Sequence, residues 1–195
     1  MTKSRPKGRG SAAKPGQSMK ITRPFYNRNT VDVAKDLLGK FLFRKLGKIE
    51  ICAQIIETEA YRGESDLACH AARGRTKRTE IMYGEPGHAY IYLCYGMHWM
   101  LNIVTEKKDF PAAVLIRSLE PKTYNLKPDL SGPGKLTKNL NIDGKLNGED
   151  LTQSNKIWIE DRGVKVKKSG IISSPRIGVA YAKHCAIWPW RFYLK

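Results

Sequence analysis

Across residues 49–60 the side chains alternate in character. Ile49, Ile51, Ala53 and Ile55 take every second position, a period that suits a β-strand and not a helix. If the alternation holds to the end of the run, Glu57 and Glu59 continue the apolar face, and two carboxylates close an otherwise greasy ribbon. Phe41 and Phe43 start a strand before it across a Leu46-Gly47 turn, and residues 88–93, 97–104, 112–118, 157–160 and 164–167 carry further strand patterns. Pro121 breaks the third of these five. Cys94-Tyr95-Gly96-Met97 looks like a tight hairpin turn. Asn29 or Thr30 can cap a helix bearing Val31, Ala34, Leu37 and Leu38, with Gly39 ending it in the left-handed conformation. Ser131-Gly132-Pro133-Gly134-Lys135 opens a short helix at 136–140. Antiparallel strands with helices at the ends, no repeat and no regular βαβ alternation point to the α+β class. The expected architecture is a single domain on a curved, mostly antiparallel β-sheet, with flanking helices and a protruding β-hairpin.

The chain has 195 residues, which suits one domain better than two, and a formal net charge of +17. Such an excess favours a polyanionic partner, because neutralised phosphates release their counterions. Residues 1–24 hold Lys3, Arg5, Lys7, Arg9, Lys14, Lys20 and Arg23 and no acidic residue, and residues 1–20 have the composition of a disordered basic arm. Residues 21–195 form the expected domain, itself basic. The four cysteines are scattered and read as free thiols in a reducing compartment. Cys69-His70 and His184-Cys185 are adjacent pairs without metal-site spacing, and the loop at 131–135 lacks the P-loop pattern, so no metal and no nucleotide are expected. With no apolar run near the ~20 residues of a membrane span and no secretory signal, the expectation is a soluble intracellular protein. Its place would be the cytoplasm or nucleoid of a bacterium, or the nucleus of a eukaryote.

A carboxylate ending an apolar strand face is desolvated and holds a proton more readily, as a general base requires. Glu57 and Glu59 fit that description equally, being about 7 Å apart on one face. Pairing with lysines on an exposed strand is the plain alternative. Tyr95, at the hairpin tip, either folds back onto its sheet or enters a duplex as a wedge from the minor groove. Tyr61, His70, Tyr83, Tyr90 and Tyr92 are flat groups that can replace the stacking of an extruded base, or simply fill the core. The amides of the 131–135 loop and Lys135 can hold a DNA phosphate at the helix start.

Several segments together resemble the alkyladenine (3-methyladenine, methylpurine) DNA glycosylases. They are Glu57-Thr58-Glu59-Ala60-Tyr61 with His70, Tyr90-Ile91-Tyr92-Leu93-Cys94-Tyr95-Gly96-Met97 with Asn102, and Val114-Leu115-Ile116-Arg117-Ser118-Leu119-Glu120-Pro121. Ser131-Gly132-Pro133-Gly134-Lys135-Leu136, Pro175-Arg176-Ile177-Gly178 and Arg191-Phe192-Tyr193 follow in order, so the resemblance runs from about Phe25 to the C-terminus. It implies a monomeric, cofactor-free enzyme that binds double-stranded DNA, flips alkylated or deaminated purines and hydrolyses the N-glycosidic bond to leave an abasic site. By the same resemblance Glu59 activates the water and Arg117 helps hold it. Tyr61 and His70 stack on the two sides of the base, the His70 amide bonds the base edge, Tyr92 closes the pocket, and Asn102 crowds the exocyclic amine of guanine. Tyr95 fills the gap in the helix, and Lys135 and Arg176 are the expected phosphate contacts. The loop at 105–110 and the basic arm match no constant feature, and the variable 97–101 segment leaves the preferred lesion open. Two rival readings are a glycosylase-lyase with a lysine nucleophile and a non-catalytic architectural binder.

Overall fold

A computed structural model describes residues 19–123 and 128–195. In chain order the main elements are β1 (Met19–Lys20), α1 (Arg23–Tyr26), α2 (Thr30–Asp36), β2 (Phe41–Leu46) and β3 (Ile49–Arg62). They continue with β4 (Ala89–Cys94), β5 (His98–Val104), β6 (Ala112–Pro121), α3 (Pro133–Asn139), β7 (Ile157–Asp161), β8 (Ile171–Ser174) and β9 (Arg191–Leu194). The strands form one open, mostly antiparallel sheet in the order β1-β7-β2-β3-β6-β5-β4, with β9 joining β3 and β8. The α+β class and the single sheet with few helices are as the sequence indicates.

β3 is the spine. On one edge its first half pairs with β2 and its second half with β9, and along the other edge it pairs with β6. Ala53 and Ile55 pack into the main core with Val33, Ala34 and Leu37 from α2 and its end. Asn29 caps α2, its side chain accepting from the Val31 amide at 2.9 Å, and Gly39 takes the left-handed conformation (φ +82°) that turns the chain into β2.

Past Ile55 the simple alternation fails. Ile55 pairs with Leu119, Glu57 with Ser118 and Thr58 with Ile116, so each strand carries an extra residue in this stretch. The core positions shift accordingly to Thr58, whose hydroxyl donates to the Ala34 carbonyl at 2.8 Å, and to Ala60. Glu57 and Glu59 therefore do not extend the apolar face as expected. The bulge turns them to the other side of the sheet, together with Tyr61. The same irregularity on β6 leaves Ile116 and Leu119 in the core and puts Arg117 beside the two glutamates.

β4 and β5 form the expected hairpin, closed by the Met97 amide on the Cys94 carbonyl at 3.0 Å. Tyr95 (φ +50°) and Gly96 (φ +67°) make the two-residue turn, so a bulky residue occupies a left-handed position that favours glycine or asparagine. α3 starts earlier than the pattern indicates because Pro133 supplies its first turn.

Two expectations are corrected. Residues 164–167 form no strand, although their side chains alternate. β7 pairs with β2 along one edge, and β1 takes the Glu160–Asp161 end of the other, next to where a hairpin return would have to pair. Met19 and Lys20, assigned by composition to the disordered arm, pair with Asp161 and Glu160. Residues 1–18 of the expected arm lie outside the described residues. The four cysteines are unbridged.

Candidate active site

A cavity of about 490 Å³ lies between the hairpin, β6 and the 177–181 segment, and the bulge in β3 turns Glu59 toward residues that line it. Tyr61, His70, Tyr92, Asn102 and Arg117, all singled out from the sequence, line it. Arg78, Tyr90 and Ile177 line it as well.

Glu59 is fully buried. Its Oε2 accepts from the Tyr61 hydroxyl at 2.8 Å and lies 3.4 Å from Arg117 Nη1, while Oε1 accepts from the Ile177 amide at 2.8 Å. These three partners all face the cavity, so the carboxylate sits directly behind its wall. A buried charge is tolerable only when paired and hydrogen-bonded, and this one is both. Glu57 is placed differently. Arg117 Nε at 3.1 Å and Arg191 Nε at 2.8 Å both reach its Oε1, so it is shared between two guanidiniums. The two carboxylates, equivalent by periodicity, thus differ in burial and in partners: Glu59 is fully buried and contacts Tyr61, Arg117 and the Ile177 amide, while Glu57 is held by Arg117 and Arg191.

The aromatic wall is held by its own hydrogen bonds. His70 Nδ1 lies 2.8 Å from the Tyr90 hydroxyl, and the His70 ring meets Tyr92 edge-on at 4.5 Å between centroids. Desolvation, helped by the positive charges of Arg78 and Arg73, pushes His70 down to about 4, so the imidazole is neutral at physiological pH. Burial pushes Tyr90 up to about 12, and burial together with the neighbouring Glu59 carboxylate raises Tyr61 well above the usual phenol range. All these hydroxyls therefore remain protonated donors. Tyr61 and Tyr92 each already have a guanidinium over the ring, Arg176 at 4.8 Å and Arg78 at 4.9 Å. Asn102 is buried, its amide donating to the Tyr90 and Met100 carbonyls at 3.1 and 3.2 Å, which fixes its orientation in the floor.

At the mouth, Tyr95 is 85% exposed. It does not fold back onto its own sheet. Lys135 is also exposed and pairs with Asp129 at 2.8 Å. Arg176 is not at the surface: its side chain is fully buried against an equally buried Asp66, so it is not a phosphate contact. Sequence reasoning also missed the Ile177 amide, since a backbone donor leaves no mark in residue type, and Arg78, one of several arginines in a polar loop. Among the described residues no three His, Cys, Asp or Glu side chains converge as a metal site requires. Burial pushes the Cys69 thiol up to about 12, which keeps it protonated.

The family model for methylpurine-DNA glycosylase matches residues 24–195. This chain belongs to the methylpurine-DNA glycosylase family. Relatives bearing the name "Putative 3-methyladenine DNA glycosylase" are 50% identical over 187 residues in Methanocella arvoryzae, covering 90% of this chain and 92% of the relative. The corresponding figures are 50% over 176 residues, 90% and 94%, in Legionella pneumophila strain Paris. In Clostridium perfringens strain 13 they are 41% over 197 residues, 91% and 96%. Membership makes the chain a DNA glycosylase of DNA repair, a hydrolase of N-glycosyl bonds whose substrate is DNA. No helix among the described residues is long and apolar enough to cross a membrane.

Proposed function

We propose that this glycosylase turns a damaged purine out of duplex DNA into the cavity beside Glu59 and cleaves it from the sugar with a water that Glu59 activates. The observation that carries the reading is the placement of a fully buried carboxylate behind the tyrosine, arginine and amide that wall a ring-lined cavity. Oε1 has one donor, so a lone pair is left for a water. Arg117, in the wall and 3.4 Å from Oε2, is placed to hold that water and to offset charge.

Extruding a base costs a few kcal/mol, least when its pairing is already weakened, which favours damaged purines. Tyr95 enters the minor groove and fills the gap, its ring covered by the duplex instead of water. Tyr61 and His70 stack on the base, the His70 amide bonds its edge, and Tyr92 closes the slot. A neutral His70 puts no charge against a cationic N3- or N7-alkylated purine, and it accommodates neutral deaminated purines equally. Asn102 crowds the exocyclic amine of normal guanine. As the glycosidic bond breaks with oxocarbenium character, the Glu59 carboxylate takes the water's proton and steadies the positive charge on the sugar. Direct displacement by water leaves an abasic site and no covalent enzyme adduct. Lys135 holds a backbone phosphate near α3.

The test is release of free base from duplexes carrying one N7-methylguanine, hypoxanthine or ethenoadenine, with borohydride present in a parallel reaction. Free base and an intact abasic strand are expected, without trapped protein. Absence of base release, or a borohydride-trapped complex, contradicts the proposal.

A further inference from the structure

Arg176 and Asp66 form the one ion pair, among the described residues, in which both side chains are fully buried. The pair is bidentate: Nη1 bonds Oδ2 at 2.5 Å and Nη2 bonds Oδ1 at 2.8 Å. Each partner is also tied to backbone. Arg176 donates to the Ala60 carbonyl at 2.8 Å and the Cys185 carbonyl at 3.2 Å. Asp66 accepts from the Arg62 and Ala68 amides at 3.2 and 3.1 Å. The guanidinium lies 4.8 Å from the Tyr61 ring centre and 5.3 Å from that of Trp190, and its Nε–H is buried without a hydrogen-bond partner.

Such a pair is expensive. Two charges leave water, one N–H goes unbonded, and apolar residues of similar size often serve stability as well or better. What it touches explains its place. Arg176 precedes Ile177, whose amide donates to Glu59 Oε1, and it grips the carbonyl before Tyr61 and underlies the ring whose hydroxyl donates to Glu59 Oε2. Those are two of the three groups that hold the Glu59 carboxylate, and they come from segments more than a hundred residues apart in sequence. Neither Arg176 nor Asp66 lines the cavity.

We propose that Arg176 and Asp66 are positioning residues that lock Tyr61 and the Ile177 amide onto the Glu59 carboxylate without touching the substrate. This rests on the reading of Glu59 as the base. The planar fork matters as much as the charge, because four acceptors and two ring faces must be met at once.

The test compares four proteins on a duplex carrying one N7-methylguanine: wild type, Glu59→Gln, Arg176→Lys, and the double variant Asp66→Leu with Arg176→Met. The double variant removes both charges together, so neither is left buried alone. Thermal midpoint, duplex affinity and single-turnover excision are measured for each. Expected for the double variant are a folded protein, duplex affinity within about threefold of wild type, and excision slower by roughly 10- to 100-fold, the effect of misaligned charge-assisted donors. Arg176→Lys, which keeps the charge but not the fork, is expected to show the same split at about 10-fold. A double variant that folds and excises at the wild-type rate overturns the proposal. Should it not fold, Arg176→Lys decides: excision reduced only in proportion to the folded fraction means a structural role alone and overturns it equally. If Glu59→Gln excises normally, the reading of the base has failed, an outcome distinct from failure of the pair.

Discussion

Removing one oxygen, in Tyr61→Phe, isolates the hydroxyl that donates to Glu59. The phenol is held as a donor by burial and by the carboxylate beside it, and its 2.8 Å bond to Oε2 is one of three contacts restraining that group. Phe keeps the ring that packs against Arg176 and that stacks on a base in the proposed complex, so duplex binding is expected to stay within about twofold. A hydrogen bond to a charged acceptor contributes about 1.5–3 kcal/mol, and each 1.36 kcal/mol is tenfold in rate. Excision is therefore expected to fall by roughly 10- to 150-fold if the bond matters fully in the transition state, with Arg117 and the Ile177 amide retaining the carboxylate. The assay is single-turnover release of N7-methylguanine under saturating enzyme, with affinity measured separately on the same duplex. An unchanged rate at unchanged affinity would refute a role for this hydroxyl in holding the carboxylate proposed as the base. A large loss of affinity would instead show that the ring, not the bond, had been disturbed.

Other consequences are equally open to measurement. His70, pushed down to about 4 in the folded protein against 6.5 unfolded, resists a proton that the unfolded chain takes up. Its stabilising effect is complete above pH 6.5 and declines as pH falls toward 4, by about 2 kcal/mol between pH 7 and 5. Denaturant unfolding should show this component in wild type but not in His70→Gln, and equal pH dependence of the two contradicts it. Tyr95→Asn places a residue suited to the left-handed turn at the hairpin tip. It should leave stability unchanged or raise it by up to about 1 kcal/mol, while slowing excision from duplex at least ~10-fold and leaving excision from single strands intact. Equal losses on both substrates would remove the wedge role. Lys135→Gln should lower the salt slope of duplex binding by about one without changing lesion preference, and an unaltered slope removes Lys135 from the phosphate contacts.

Much of the site is legible in the sequence because its residues are concentrated on a few strands with strong local patterns. The alternation of β3, the Tyr95-Gly96 turn and the 112–118 run that holds Arg117 mark three elements that the sheet brings together. What the sequence hides is set by pairing at long range. The bulge that reverses β3 arises where it meets β6, and nothing local to Ile55 and Glu57 announces it. The short strands β1, β8 and β9 owe their conformation to the edges they cover. Val164 and Val166 alternate with lysines as a strand would, yet pair with no strand. Arg176 looks like a phosphate ligand in a basic chain, and the Asp66 that claims it lies 110 residues away.

The most direct test of the account is single-turnover excision by Glu59→Gln. Gln keeps the size of the side chain but cannot take a proton from water, so tight duplex binding with excision reduced ~100-fold or more is the expected result. Near-wild-type release of the base by that variant would contradict the central claim.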